Sequence, residues 1–216
     1  MVKKFLWYLT IFIIICVAGI GTLWFFNLPS RNAIDRAYHA LSKPQTKKLK
    51  SQLTQFQLPG QHLATLGLDM GFDSRPTLQT ANAFAAGIWL GQQDLLGHHS
   101  ATLPTSLSPP SPMPSWQETG WKNDFELGRW ILLLWAITDS SLQMPAPFWQ
   151  QQQRILKHFQ TQFAVLAKNN DREAQLVISA LEPLSPLLAQ LAQKPTLPSS
   201  HLLERELAFL IDSLSP

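Results

Sequence analysis

Trp121, Asn123, Asp124, Glu126 and Arg129 form the densest cluster of polar and aromatic side chains in this 216-residue chain. Two carboxylates and a guanidinium at such close spacing can build a binding or catalytic site, because carboxylates exchange protons and a guanidinium holds anions. Trp121, with Trp116 five positions before it, adds flat rings able to stack on a sugar. The same residues also read as structure. Asn123 and Glu126 have capping-box spacing with Asn123 as the N-cap, the acids fall near the positive end of a helix dipole, and Glu126 and Arg129 pair across one turn. An open cleft lined by Trp121, Asp124, Glu126 and Arg129 would favour ligand binding or hydrolysis of lipid or cell-wall glycan. A closed core with an exposed apolar groove would favour a scaffold.

Other chemistries lack their residues. The sequence has no P-loop, no G-x-G-x-x-G after a strand, no G-x-S-x-G and no H-E-x-x-H. Its one cysteine, Cys16, lies in an apolar run, so neither thiol catalysis, nor a Cys-based zinc site, nor an intrachain disulfide is expected. His98 and His99 are adjacent and would point apart on a helix, with Asp94 alone nearby as a third ligand. Asp69 and Asp73 lack the alternating oxygen ligands of a calcium loop. No metal and no cofactor is expected.

The elements that position the cluster begin with residues 5–26, an uncharged apolar run behind Lys3 and Lys4. At about 1.5 Å per residue it is long enough to cross a hydrocarbon core of about 30 Å, and Trp7, Tyr8 and Trp24 sit near its ends. It reads as a transmembrane anchor rather than a cleaved signal peptide, since the apolar run continues past the small residue Ala18. Residues 1–4 form a cytoplasmic tail, because two lysines are awkward to translocate, and the rest lies outside the cytoplasm. Residues 27–60 carry six Lys/Arg against one Asp and read as a basic helical stalk. Its Lys43, Lys47, Lys48 and Lys50 are candidates for contact with anionic headgroups. Residues 61–216 carry nine Lys/Arg against thirteen acids, which argues against a nucleic-acid partner.

Beyond the stalk, residues 61–99 contain a helix capped by Thr77, whose Ala81, Ala85, Gly87 and Gly91 would let another helix approach closely. Residues 100–115 hold five prolines and five serines and read as an unfolded Pro/Ser-rich linker. Residues 116–216 form the helical core domain. Its centre is a helix with eight consecutive apolar residues from Trp130 to Ile137, where at least two of Leu132, Leu133 and Leu134 must be buried. Pro145 and Pro147 start the next helix, with Gln150 to Gln153 on its early turns and Gln151 and Gln152 expected to tolerate alanine. Asn170 with Glu173 repeats the capping-box spacing, and Ser199 or Ser200 caps the last helix. No stretch alternates as a strand would, so the extramembrane part is all-α.

Asp124-Phe125-Glu126-Leu127-Gly128, the long apolar helix after it and the Trp149 segment resemble part of an uncharacterised family of single-span proteobacterial membrane proteins. The resemblance covers about a third of the chain and implies a bacterial envelope setting, with no activity attached. The expectation is a single-pass inner-membrane protein whose extracytoplasmic helical domain binds other envelope proteins and performs no chemistry.

Overall fold

Two helices meet at their glycines in the middle of the molecule, a computed structural model that describes residues 34–35, 37–38, 47–56, 77–98, 101–139, 144–169 and 171–216. They follow α1 (Lys47–Gln55) and are numbered α2 (Leu78–Leu96) and α3 (Lys122–Asp139). A Cβ added at Gly87 would overlap the Phe125 carbonyl, and one added at Gly128 would overlap the Phe84 carbonyl. The backbones touch there, as the small residues of α2 led us to expect. Gly128 lies against Phe84 and Ile88 while Gly91 lies against Leu132, so the two helices run in the same direction. Along α3, Trp130, Ile131, Leu132, Leu133, Leu134 and Ile137 are all fully buried. All three test leucines are core.

Parallel neighbours cannot be joined by a tight turn. The chain must travel back along α2, about 28 Å for its nineteen residues. The stretch expected to be an unfolded linker makes that return. A 3₁₀ turn at Thr105–Leu107 buries Leu107, a second at Trp116–Glu118 buries Trp116, and the Trp116 indole Nε1 donates to the Leu107 carbonyl at 2.8 Å. Prolines suit such a path because they hold an extended backbone without ladder hydrogen bonds. Two apolar anchors then fix it to the core.

The expected stalk also differs. Ile34, Ala37, Tyr38, Leu49 and Leu53 are buried in the same hydrophobic core as α2 and α3. The Gln92 amide donates to the Leu53 and Phe56 carbonyls at the end of α1, where a helix leaves carbonyls unsatisfied, and the Phe56 ring packs 4.6 Å from Trp135. Basic residues set the charge of this region, but Leu49 and Leu53, four apart, decide its packing. Lys50 is exposed; Lys43 and the side chains of Lys47 and Lys48 lie outside the described residues.

The rest is α4 (Ala146–Ala167), α5 (Arg172–Leu181), α6 (Leu184–Gln193) and α7 (Leu197–Leu214). α4 packs on α5 and α6, and α7 packs on α3 and α6. Among the described residues every regular element is helical. Three caps fall one or more residues from where spacing put them. α3 starts at Lys122 with the Trp121 carbonyl accepting from the Phe125 N–H, so Asn123 lies inside its first turn. α5 is capped by Asp171, whose carboxylate accepts from the Ala174 N–H at 3.1 Å. α7 follows Thr196, whose hydroxyl lies 2.8 Å from that of the buried Ser199. α5 thus keeps an acidic side-chain cap one position along, whereas α7 makes no side-chain cap hydrogen bond. At the other end of α2, Gly97 takes the left-handed conformation (φ 87°) that closes the helix, with the Gly97 and His98 N–H groups donating to the Asp94 and Gln93 carbonyls.

The expected span at residues 5–26 lies outside the described residues. Among those described, Arg172–Gln193 is long and apolar enough to cross a membrane, with 22 residues and a mean hydropathy of 1.2. It comprises α5 and α6, joined through Pro183, which has no N–H to continue the ladder. Val177, Leu181, Leu184, Leu188 and Leu191 face inward, whereas Gln175, Ser179, Glu182 and Ser185 face outward. The packing on α4 accounts for its apolarity.

Candidate functional site

The polar cluster of the sequence separates into three parts in space. Residues two apart on a helix point about 200° from one another, and Asp124 and Glu126 accordingly face different neighbours.

Glu126 and Arg129 turn toward the start of the described chain. Arg129 Nη2 lies 2.8 Å from Asp35 Oδ1 and 3.4 Å from Asp94 Oδ2, and Nη1 lies 3.5 Å from Glu126 Oε2. The guanidinium carbon sits 5.2 Å over the Tyr38 ring, and the Tyr38 hydroxyl donates to the Arg129 carbonyl at 2.7 Å. Gly91 makes room for this, since a Cβ there would overlap the Tyr38 hydroxyl. One cation thus faces three carboxylates from three separate segments, with its own side chain 9% exposed and that of Asp35 44% exposed. Taking ions out of water costs several kcal/mol each, and the surrounding carboxylates and the ring offset that for Arg129. Burial pulls the Arg129 guanidinium down, but Tyr38, Glu126 and Asp35 outweigh it and hold it raised. Burial is also the first reason that the Tyr38 phenol is pushed well above its ordinary range, so it stays a neutral donor. This arrangement fastens Asp35 and Tyr38 to α2 and α3.

Trp116 and Trp121 form the second part. Their rings meet edge to face at 6.3 Å, Trp116 is buried, and the Thr119 hydroxyl donates to the Trp116 carbonyl at 2.7 Å while accepting from the Trp121 N–H at 3.2 Å. Both rings secure the returning segment to the head of α3, where Asn123 is partly buried. The face of Trp116 is not open to a sugar.

Asp124 is the third part. It is buried where α3 begins, in the field of Glu173 and Asp171 at the start of α5. Burial first, and then Glu173 and Asp171, push its carboxyl up to about 7, against a lowering backbone hydrogen bond. A neutral acid at this pH can donate a proton, and that is the chemistry available here.

Four participants were invisible to spacing. Asp35, Tyr38, Thr80 and Glu173 lie about 49 to 94 positions from the acids and cation they face. Asp94 stood out in the sequence only beside His98 and His99, and the structure turns it toward Arg129 instead. His98 Nδ1 lies 3.1 Å from Gln93 Oε1. Among the described residues, no three His, Cys, Asp or Glu side chains are grouped to hold a metal ion. No family model, no curated protein and no solved structure matches the chain.

Proposed function

We propose that this chain is a single-span protein of the bacterial inner membrane, anchored by residues 5–26, whose helical domain lies outside the cytoplasm and serves as a non-enzymatic interaction or scaffold module for other envelope proteins. The observation that carries this reading is the internal use of the candidate site. Arg129 is committed to Glu126, Asp35, Asp94 and Tyr38, and Trp116 to Leu107. The anchoring also gains from the core. Ile34 is buried only eight residues after Phe26, a separation of at most about 29 Å when fully extended, so the domain rests close to the bilayer. Lys43, Lys47, Lys48 and Lys50 follow within the same region, where each basic residue near an anionic surface contributes about 1 kcal/mol.

Full-length protein in detergent, incubated with isolated sacculi and with phospholipid vesicles, should release no glycan or lipid fragment above a buffer control. A photo-crosslinker placed at the exposed Phe209 should join it to another envelope protein in intact cells. Fragment release by the wild type that is lost in Asp124→Asn or Glu126→Gln would overturn the proposal in favour of a hydrolase.

A further inference from the structure

α7 buries one side against α3 and α6 and turns the other to solvent. Leu203, Leu207, Leu210 and Leu214 face inward, whereas Arg205, Ala208, Phe209 and Asp212 are exposed on the opposite side. Among the described residues no large apolar side chain is more exposed than Phe209, at 66%, and Leu197 and Leu202 on the same helix are exposed as well. The Arg205 side chain is 74% exposed, with its guanidinium 3.6 Å from Glu206 Oε1, beyond hydrogen-bond range. Positions 205, 208, 209 and 212 stand at i, i+3, i+4 and i+7, so they form one stripe along two turns. Its order is cation, small residue, ring, anion. A helix with the reverse order would match it at every position, and α7 itself supplies that order when it is turned end to end.

We propose that α7 is a self-pairing face: two copies of the chain join through antiparallel α7 helices, on a two-fold axis between Ala208 and Phe209. Arg205 of each copy then meets Asp212 of the other, and each Phe209 ring lies over the other copy's Ala208. The small residue leaves the groove that the ring fills. Charge selects the direction, because a parallel pair would set Arg205 against Arg205 and Asp212 against Asp212. It also selects a second copy over an unrelated apolar surface, which would strip water from both charges and return no partner. Two turns of helix bury less than the roughly 1,200 Å² of a stable interface, so the pair is weak between free chains. The anchor proposed above confines both copies to one membrane and raises their effective concentration. The inference rests on that reading and names the envelope protein that Phe209 meets as a second copy.

The test is cysteine linking of the full chain in isolated membranes, in a Cys16→Ala background. Ala208→Cys, next to the two-fold axis, should be joined to a second copy by a short bismaleimide, whereas Thr161→Cys, exposed on α4, should not. Arg205→Asp or Asp212→Arg, added singly to Ala208→Cys, sets like charges together at both pairs and should cut the linked fraction about tenfold. The double exchange should restore it, and so should co-production of the two single variants, whose charges complement one another. Phe209→Ser should lower it with little change in melting temperature, because the ring is exposed in the single chain. Linking of Ala208→Cys no stronger than of Thr161→Cys, no rescue by the double exchange, or no rescue in the mixed pair would each overturn self-pairing. A linked product that contains a different protein would do so too, while leaving the interaction reading intact. The anchor is read separately, by whether the chain sediments with the membranes.

Discussion

Gln152 has the clearest consequence at the scale of one residue. It sits in a run of four glutamines, and composition places such a run in water. The structure buries it completely, with its Oε1 accepting from the Trp130 indole at 2.9 Å and its Nε2 donating to the Phe148 carbonyl at 3.4 Å. Gln152→Ala would strand that indole N–H, a loss of about 1–3 kcal/mol, whereas Gln151→Ala should stay within about 0.5 kcal/mol of wild type. Urea unfolding of the two variants checks this; equal stabilities would contradict the burial of Gln152. The expectation that Gln152 tolerates alanine is thereby corrected, although its spacing with 149, 156, 159 and 163 falls on one helical stripe of buried residues. The chemistry was not legible, since the partner that makes a buried amide tolerable lies on another helix. Arg129 repeats the lesson. Its pairing with Glu126 follows from spacing, but its link to Asp35 crosses 94 positions and no local rule reaches that far.

At the scale of elements, the direct backbone contact between α2 and α3 sets the architecture. Replacing glycine by alanine at an exposed helix position is favourable by up to about 1 kcal/mol. Gly128→Ala should do the opposite and cost about 1–3 kcal/mol, because the new Cβ meets the Phe84 backbone, which cannot step aside as a side chain could. Gly120→Ala, with nothing within 4 Å of its added Cβ, is the neutral control. Each of Leu132→Ala, Leu133→Ala and Leu134→Ala should cost about 2–5 kcal/mol. Thermal unfolding reads all five, and a Gly128→Ala protein as stable as wild type would contradict the close crossing. Small residues on α2 announced that crossing in the sequence. The shared direction of the two helices stayed hidden because it depends on the returning segment, and that segment has no periodicity to betray Leu107 and Trp116 as its anchors.

At the scale of the whole molecule, the all-helical class was readable from apolar spacing, and the division into stalk, linker and core domain was not. Charge and proline content describe surfaces and paths, whereas the core is assembled from the few apolar residues beneath them, Ile34, Leu49 and Leu53 on one side and Leu107 on the other. Arg129 holds Asp35 and Tyr38 on the helical domain, and the side of the membrane on which that domain sits governs which partners it can meet. Cys16 is the only cysteine, so a Cys16→Ala background allows one label to be placed at will. In that background Phe209→Cys, at a position 66% exposed, should react with a membrane-impermeant maleimide in cells whose outer membrane is permeabilised and whose inner membrane is intact. Labelling only after the inner membrane is lysed would place the domain in the cytoplasm and contradict the proposed function.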